Sequence, residues 1–293
     1  MLAQLISSYY TDDLIAAISQ GLKDVQGSFS VSLIHKDYPN RIFCFARECP
    51  LCIGYSDDQT EIVIASDPNA FLGQDLNIVF LEDNEIASIE KGKVLFYDQN
   101  IKAISKNSQK IKGSHLKPTK EGFEHFMLKE IYDQPKTLRL ALEEHLIGEA
   151  VLFKHLKLTK DELNKIDQIY ILGCGTSYHA GYIGAYLFEE ILGIPTQTEI
   201  GSEFRYRKPL FTKNSLVLAL SQSGETADTI AAVKLVKEKG ARVICLCNQE
   251  NSTLSRLADH SFYIHAGPEV SVCSTKSFTS HLLILSLFAL YMA

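Results

Sequence analysis

Apolar positions follow one rhythm over the first hundred residues and another after residue 167. Residues 11–24, TDDLIAAISQGLKD, set apolar side chains at helical spacing behind a threonine cap and two acids, which predicts a short amphipathic helix. The segments 29–35, 41–47, 61–67, 77–83, 85–90 and 93–98 are short, rich in β-formers and bounded by turn residues. Runs of that kind predict an antiparallel layer.

From residue 99 the chain turns polar and lysine-rich, with Gly113 and Pro118 and few large apolar residues. An interdomain linker over 106–120 is expected there, between a domain at 1–105 and another at 121–293. Residues 121–146 carry Phe123, Met127, Ile131, Leu138 and Leu142 at helical spacing, and Pro135 is expected to break the run into two helices.

After Asp167 the order becomes strand, loop, helix. The runs QIYILG (168–173), SLVLAL (215–220) and RVICLC (242–247) are apolar enough to be buried on both faces, as strands of a parallel sheet are. Weaker strands at 196–200 and 261–265 bring the count to five, and 178–192 and 226–239 have helical length. The expected fold class is α/β, a doubly wound parallel sandwich preceded by a partial antiparallel α+β domain. Residues 281–293 are almost wholly apolar, but 13 residues fall short of the about 20 that a membrane helix needs. They predict a buried or interface helix of a domain that continues beyond this chain.

Composition narrows the function. With 29 basic against 35 acidic residues the net charge is −6, and no basic run marks a nucleic-acid footprint. Seven cysteines at irregular spacing and no secretory leader near Met1 point to a reducing, cytoplasmic setting. Cys49 and Cys52 have the spacing of half a zinc site, but zinc wants four ligands and no second pair follows. Two thiols in a strand or turn is the expectation.

Chemistry concentrates where strands end and helices begin. The junctions Gly173-Cys174-Gly175-Thr176-Ser177 and Ser221-Gln222-Ser223-Gly224-Glu225-Thr226 combine glycine, hydroxyl donors and helix amino termini. Free N–H groups and the helix dipole favour an anion there. Neither junction carries the lysine and glycine spacing of a nucleotide P-loop, so one phosphate fits better than three. About six donors at roughly 1.5 kcal/mol give ~9 kcal/mol, against at least ~4 kcal/mol of binding entropy, a sub-millimolar affinity for a sugar phosphate. Serine, threonine and glycine are also common helix caps, so capping is the alternative role. Glu225 reads as a dipole partner in the first helical turn, and Lys276 as either a charge near the site or a solvated or interface lysine.

The strings GCGTSYHAG (173–181), SEFRYR (202–207), LSQSGETADT (220–229) and STKSF (274–278), with FMLKEIYDQP (126–135) before them, resemble the glutamine–fructose-6-phosphate aminotransferase family. The matches cover roughly 120–293 and correspond to its first sugar isomerase (SIS) domain; 1–110 are more loosely similar to the later part of its glutaminase domain. The resemblance implies a five-stranded, flavodoxin-like SIS sandwich. It places phosphosugar contacts on Thr176, Ser177, Ser221, Gln222, Ser223 and Thr226, with Gly175 and Gly224 supporting the loops and Val272 and Ser274 at the sugar end. It implies an aminotransferase and isomerase making glucosamine 6-phosphate from fructose 6-phosphate and glutamine, a homodimer, and no metal or organic cofactor.

The family's amino-terminal cysteine has no counterpart, since Leu2 follows Met1 and the first cysteine is Cys44. The imine-forming lysine and the acid/base residues belong to a second sugar domain that would follow Ala293. This chain is therefore expected to hold most of a phosphosugar cradle, no catalytic residue, and no activity alone. A non-catalytic sugar-phosphate sensor is the alternative; a membrane or nucleic-acid partner is not expected.

Overall fold

Along the strand Tyr38–Arg47, Phe43 and Phe45 alternate with Cys44 and Ala46, and all four are buried. A strand apolar on both faces must lie between two layers, and it does. In this computed structural model, which describes every residue except 67, 72, 73, 111–118, 155 and 251, the strand sits in a five-stranded antiparallel sheet. Phe29–His35 flanks it on one side, and Ile86–Glu90, Lys93–Tyr97 and Ala103–Ile104 follow on the other. Phe43, Phe45 and Ile86 pack with Ile6, Leu14, Ile18 and Leu22 of the helices Leu2–Tyr9 and Leu14–Asp24. Cys44, Ala46, Ala87 and Ile89 pack with Leu51, Ile53 and Val79, from a second, three-stranded sheet and the turn before it.

Two local expectations are corrected here. The second helix is capped by Asp13, whose Oδ1 accepts from the N–H groups of Ile15 and Ala16 at 2.9 and 3.2 Å, and not by Thr11. A carboxylate at that end also interacts favourably with the positive end of the helix dipole. The strand Cys52–Tyr55 was not expected, because Gly54 weakens its strand pattern. That glycine is needed: a Cβ there would stand 2.7 Å from the Phe71 ring. Cys52 is buried in the strand and Cys49 lies half-buried in the bend before it. Gly113, Pro118 and Asp67, used above to place the linker and one strand end, lie outside the described residues.

Contacts divide the chain into units of residues 1–117 and 118–293. The second unit opens with α1 (Phe126–His145), one helix that runs through Pro135 instead of breaking. Proline deprives the carbonyl four residues back of its partner. Here that carbonyl, of Ile131, accepts instead from Gln134 Nε2 at 2.9 Å.

Five parallel strands follow: β1 (Gln168–Gly173), β2 (Thr196–Ile200), β3 (Ser215–Ser221), β4 (Arg242–Cys247) and β5 (His260–Tyr263), in the order β2-β1-β3-β4-β5. Helices α2 (Thr176–Leu192), α3 (Ala227–Glu238), α4 (Thr253–Leu257) and α5 (Lys276–Met292) complete the unit. Ile169, Ile171, Leu216, Leu218, Ile244 and Leu246 face α1, α2 and α5. Tyr170, Leu172, Val217, Ala219, Val243 and Cys245 face α3 and α4. The apolar tail 281–293 thus belongs to a helix that packs on α2 and α1. Among the described residues no helix is long and apolar enough to cross a membrane.

Phe288 of α5 is fully buried, with the rings of Phe153, Phe188, Phe262 and Tyr291 centred within 5.3–6.4 Å. Phe288→Ala is expected to cost about 3–5 kcal/mol in urea unfolding followed by circular dichroism. A loss under about 1 kcal/mol would mean that this aromatic centre is not the core of the second unit.

Candidate functional site

Strand order reverses between β1 and β3, since β2 lies on one side of the pair and β4 and β5 on the other. At such a switch point the connections leave in opposite directions, and a crevice opens at the carboxyl edge. The parallel register pairs Ile171 with Leu218 and Leu172 with Ala219, so both strands release their loops at the same level.

The first loop is held by glycine geometry. A Cβ on Gly173 would meet Tyr178 N at 2.8 Å, and Gly175 turns the chain with φ +55°. The turn brings Thr176 and Ser177 to the start of α2, half-buried and buried respectively. Their N–H groups precede the helix ladder, which begins when Tyr178 and His179 donate to the carbonyls of Cys174 and Gly175. Cys174 Sγ lies 3.7 Å from Thr229 Oγ1 on α3, which joins this loop to the helix after the second one.

The second loop is knotted through Ser221. Its Oγ accepts from Gly224 N–H at 3.0 Å and lies 3.0 Å from Thr226 Oγ1, and the residue is only 2% exposed. Ser223 Oγ accepts from Glu225 N–H at 3.1 Å, while Gln222 and Thr226 are half-buried. Thr226 is the N-cap of α3, yet its side chain makes no capping bond. Glu225 turns away into the fold, where its Oε1 accepts from Thr253 N–H at the start of α4 at 2.7 Å. That contact fits the structural reading of this acid.

The third segment, between β5 and α5, carries Val272, fully exposed, and Ser274, half-buried. Asn248, just past β4, ties it to the second loop. Its N–H donates to Gln222 O at 3.1 Å, its Nδ2 to Gly267 O at 2.7 Å, and its Oδ1 accepts from Ala266 N–H at 2.8 Å. One asparagine beyond a strand gave no distinct signal in the sequence. Lys276 is buried, not solvated, and its Nζ lies 3.3 Å from Asp133 Oδ2 on α1.

Burial works to raise the Asp133 carboxyl, but hydrogen bonding to Lys129 and the charges of Lys276 and Lys129 outweigh it and hold the group below the usual carboxylate range. His281 of α5 shows the opposite balance: full burial pushes its imidazole down to about 4, and Leu246 O, 3.3 Å from Nε2, only partly offsets that. Arg205 of the SEFRYR string pairs with Asp228 in the first turn of α3 at 3.4 Å. The three segments themselves carry no lysine or arginine before Lys276. What they offer an anion is therefore hydroxyls, N–H groups and two helix dipoles.

Residues 162–291 match the family model described as the SIS domain, so the second unit contains a SIS domain. Along its whole length the chain is homologous to the isomerizing glutamine–fructose-6-phosphate aminotransferases. It is 40% identical over 291 residues to the enzyme of that name from Caldanaerobacter subterraneus subsp. tengcongensis, and 41% over 297 residues to that of Chlamydia trachomatis serovar D. These alignments take in 99% and 100% of this chain and 48% of each relative, so the chain spans about half the length of the curated relatives it matches. A solved structure described as the C-terminal domain of glucosamine-fructose-6-phosphate aminotransferase from Francisella tularensis superposes with a TM-score of 0.56 at 39% identity. The superposition covers 60% of this chain and 49% of that one.

Gly224 has φ +68°, and a Cβ there would stand 2.1 Å from Ser252 Oγ and 2.5 Å from Ser252 Cβ. Gly224→Ala is expected to destabilise the chain by at least about 2 kcal/mol in thermal unfolding, through both backbone strain and overlap. An unchanged melting temperature would contradict this loop geometry. For Asp133 the folded value is lowered, so its contribution is complete above the ordinary aspartate value of about 3.9 and is lost as pH falls through the lower folded one. Stability measured from pH 5 to pH 3 should therefore fall less steeply in Asp133→Asn than in the wild type.

Proposed function

We propose that this chain supplies the phosphosugar-binding part of an isomerizing glutamine–fructose-6-phosphate aminotransferase, seating fructose 6-phosphate or glucosamine 6-phosphate. The observation that carries the reading is the pair of hydroxyl-lined helix starts at the switch point of a SIS sheet, in a chain 40% identical to enzymes of that name. The phosphate is taken by Thr176, Ser177, Ser223 and Thr226 together with the N–H groups of the two turns. Gln222 and Gly175 shape their rims, and Gly224 lets the second turn close. Ser221 acts from beneath, because its Oγ is engaged by Gly224 N–H and positions the Thr226 hydroxyl. Val272 and Ser274 meet the far end of the sugar.

Anchoring the phosphate fixes an open-chain ketose so that its carbonyl is presented to an attacking amine, the entropic part of such a catalysis. The groups that release ammonia, form the imine and move protons belong, in this reading, to the glutaminase and second SIS portions of the longer enzyme. The first unit, 1–117, is read as the later part of that glutaminase domain. Exposed Tyr182, Ile183 and Tyr186 on α2 and Leu290 on α5 give apolar surface for assembly, in keeping with a cytoplasmic homodimer.

A thermal-shift series with fructose 6-phosphate, glucosamine 6-phosphate, fructose and ATP tests the proposal. The two sugar phosphates should raise the melting temperature by linkage, and fructose should not. Ser223→Ala combined with Thr226→Ala should abolish the shift while the fold persists. Stabilisation by ATP alone, or an unchanged shift in the double variant, would overturn the reading.

A further inference from the structure

The string FMLKEIYDQP lies on α1, outside the three segments assigned to the ligand, yet its acidic residues are committed to one of them. Glu130 is 2% exposed, and its Oε1 accepts from the N–H groups of Val270 and Ser271 at 2.6 and 3.3 Å. Asp133, one turn on, holds Lys276 at the end of the same segment. Glu144, farther along the same face, pairs with His265 at its start, where the backbone is forced to φ +48°. Within the segment, Glu269 Oε1 accepts from Thr275 and Ser277 N–H at 2.9 and 3.3 Å. The path from β5 to α5 is thus fixed by α1 at its beginning, middle and end.

Such a clamp is a poor investment for stability alone. A buried carboxylate loses hydration, and the second oxygen of Glu130 is buried with no hydrogen-bond partner among the described residues. An apolar side chain would fill that space at lower cost. What the carboxylate contributes is direction, since two N–H groups on one oxygen fix the peptides of Val270 and Ser271, on the approach to Val272 and Ser274.

We infer that Glu130 is the positioning residue for the sugar end of the site: it orders the 265–275 segment so that Val272 and Ser274 meet the carbons remote from the phosphate. This rests on the phosphosugar reading above. It separates the site into two parts of different origin, with the phosphate end preorganised by the strand order and the sugar end held by a carboxylate about 140 residues away in sequence. Removing Glu130 should then weaken recognition of the sugar and leave recognition of phosphate intact, which a general loss of stability would not do.

The test is calorimetric or NMR titration of the chain with fructose 6-phosphate and with glycerol 3-phosphate, which keeps the phosphate monoester but lacks the far carbons. Glu130→Ala should weaken fructose 6-phosphate about tenfold while glycerol 3-phosphate stays within about twofold. Glu130→Gln keeps one acceptor oxygen and should recover most of the affinity; it also serves should the alanine variant fail to fold, with the same selectivity expected at about threefold. Equal weakening of both ligands, or of neither, overturns the assignment while the phosphosugar reading stands. Wild-type chain that binds neither phosphate overturns both.

Discussion

The site depends on the reversal of strand order between β1 and β3. Five parallel strands laid down in one direction would put successive helices on one face and close the carboxyl edge with side chains. Reversal sends α2 and α3 to opposite faces, so both helices start from neighbouring strands at the same carboxyl edge of the sheet. Cys174 against Thr229, and Gln222 against Asn248, then lace the segments together across that edge. Binding by dipoles and hydroxyls needs this preorganisation, because neutral donors gain little unless they already point at the ligand.

Charge is kept off the crevice by placement rather than by composition. Ionisable residues of these segments are engaged elsewhere: Glu225 with Thr253 N–H, Asp228 with Arg205, Glu269 with Thr275 and Ser277 N–H, and Lys276 with Asp133. A phosphate would then meet neither a repelling carboxylate nor a flexible ammonium. Ser221 is likewise buried and holds the second turn, its Oγ accepting from Gly224 N–H and lying 3.0 Å from Thr226 Oγ1.

Much of this was legible in the sequence, for physical reasons. The strands 168–173 and 242–247 could be bounded to the residue because burial on both faces leaves no polar position inside them. The two glycine-hydroxyl junctions stood out because each interrupts such a strand. Features that rest on distant partners were not legible. Glu130 bonds to peptides that the fold delivers from the far end of the chain, and even the local contact of Gln134 Nε2 with the Ile131 carbonyl, beside Pro135, depends on a rotamer that spacing does not specify. The helix Leu2–Tyr9 has no side-chain cap and Cys52–Tyr55 contains a glycine, so both fall below what local propensity can signal.

The central claim is that backbone and hydroxyl donors of the two turns grip a monophosphate. Amide-resolved NMR of the chain titrated with fructose 6-phosphate tests it most directly. Saturable shifts concentrated at residues 174–178 and 221–227 are predicted, with downfield movement of N–H groups that gain a phosphate oxygen. Saturable shifts confined to other parts of the chain, leaving both turns unmoved, would contradict it.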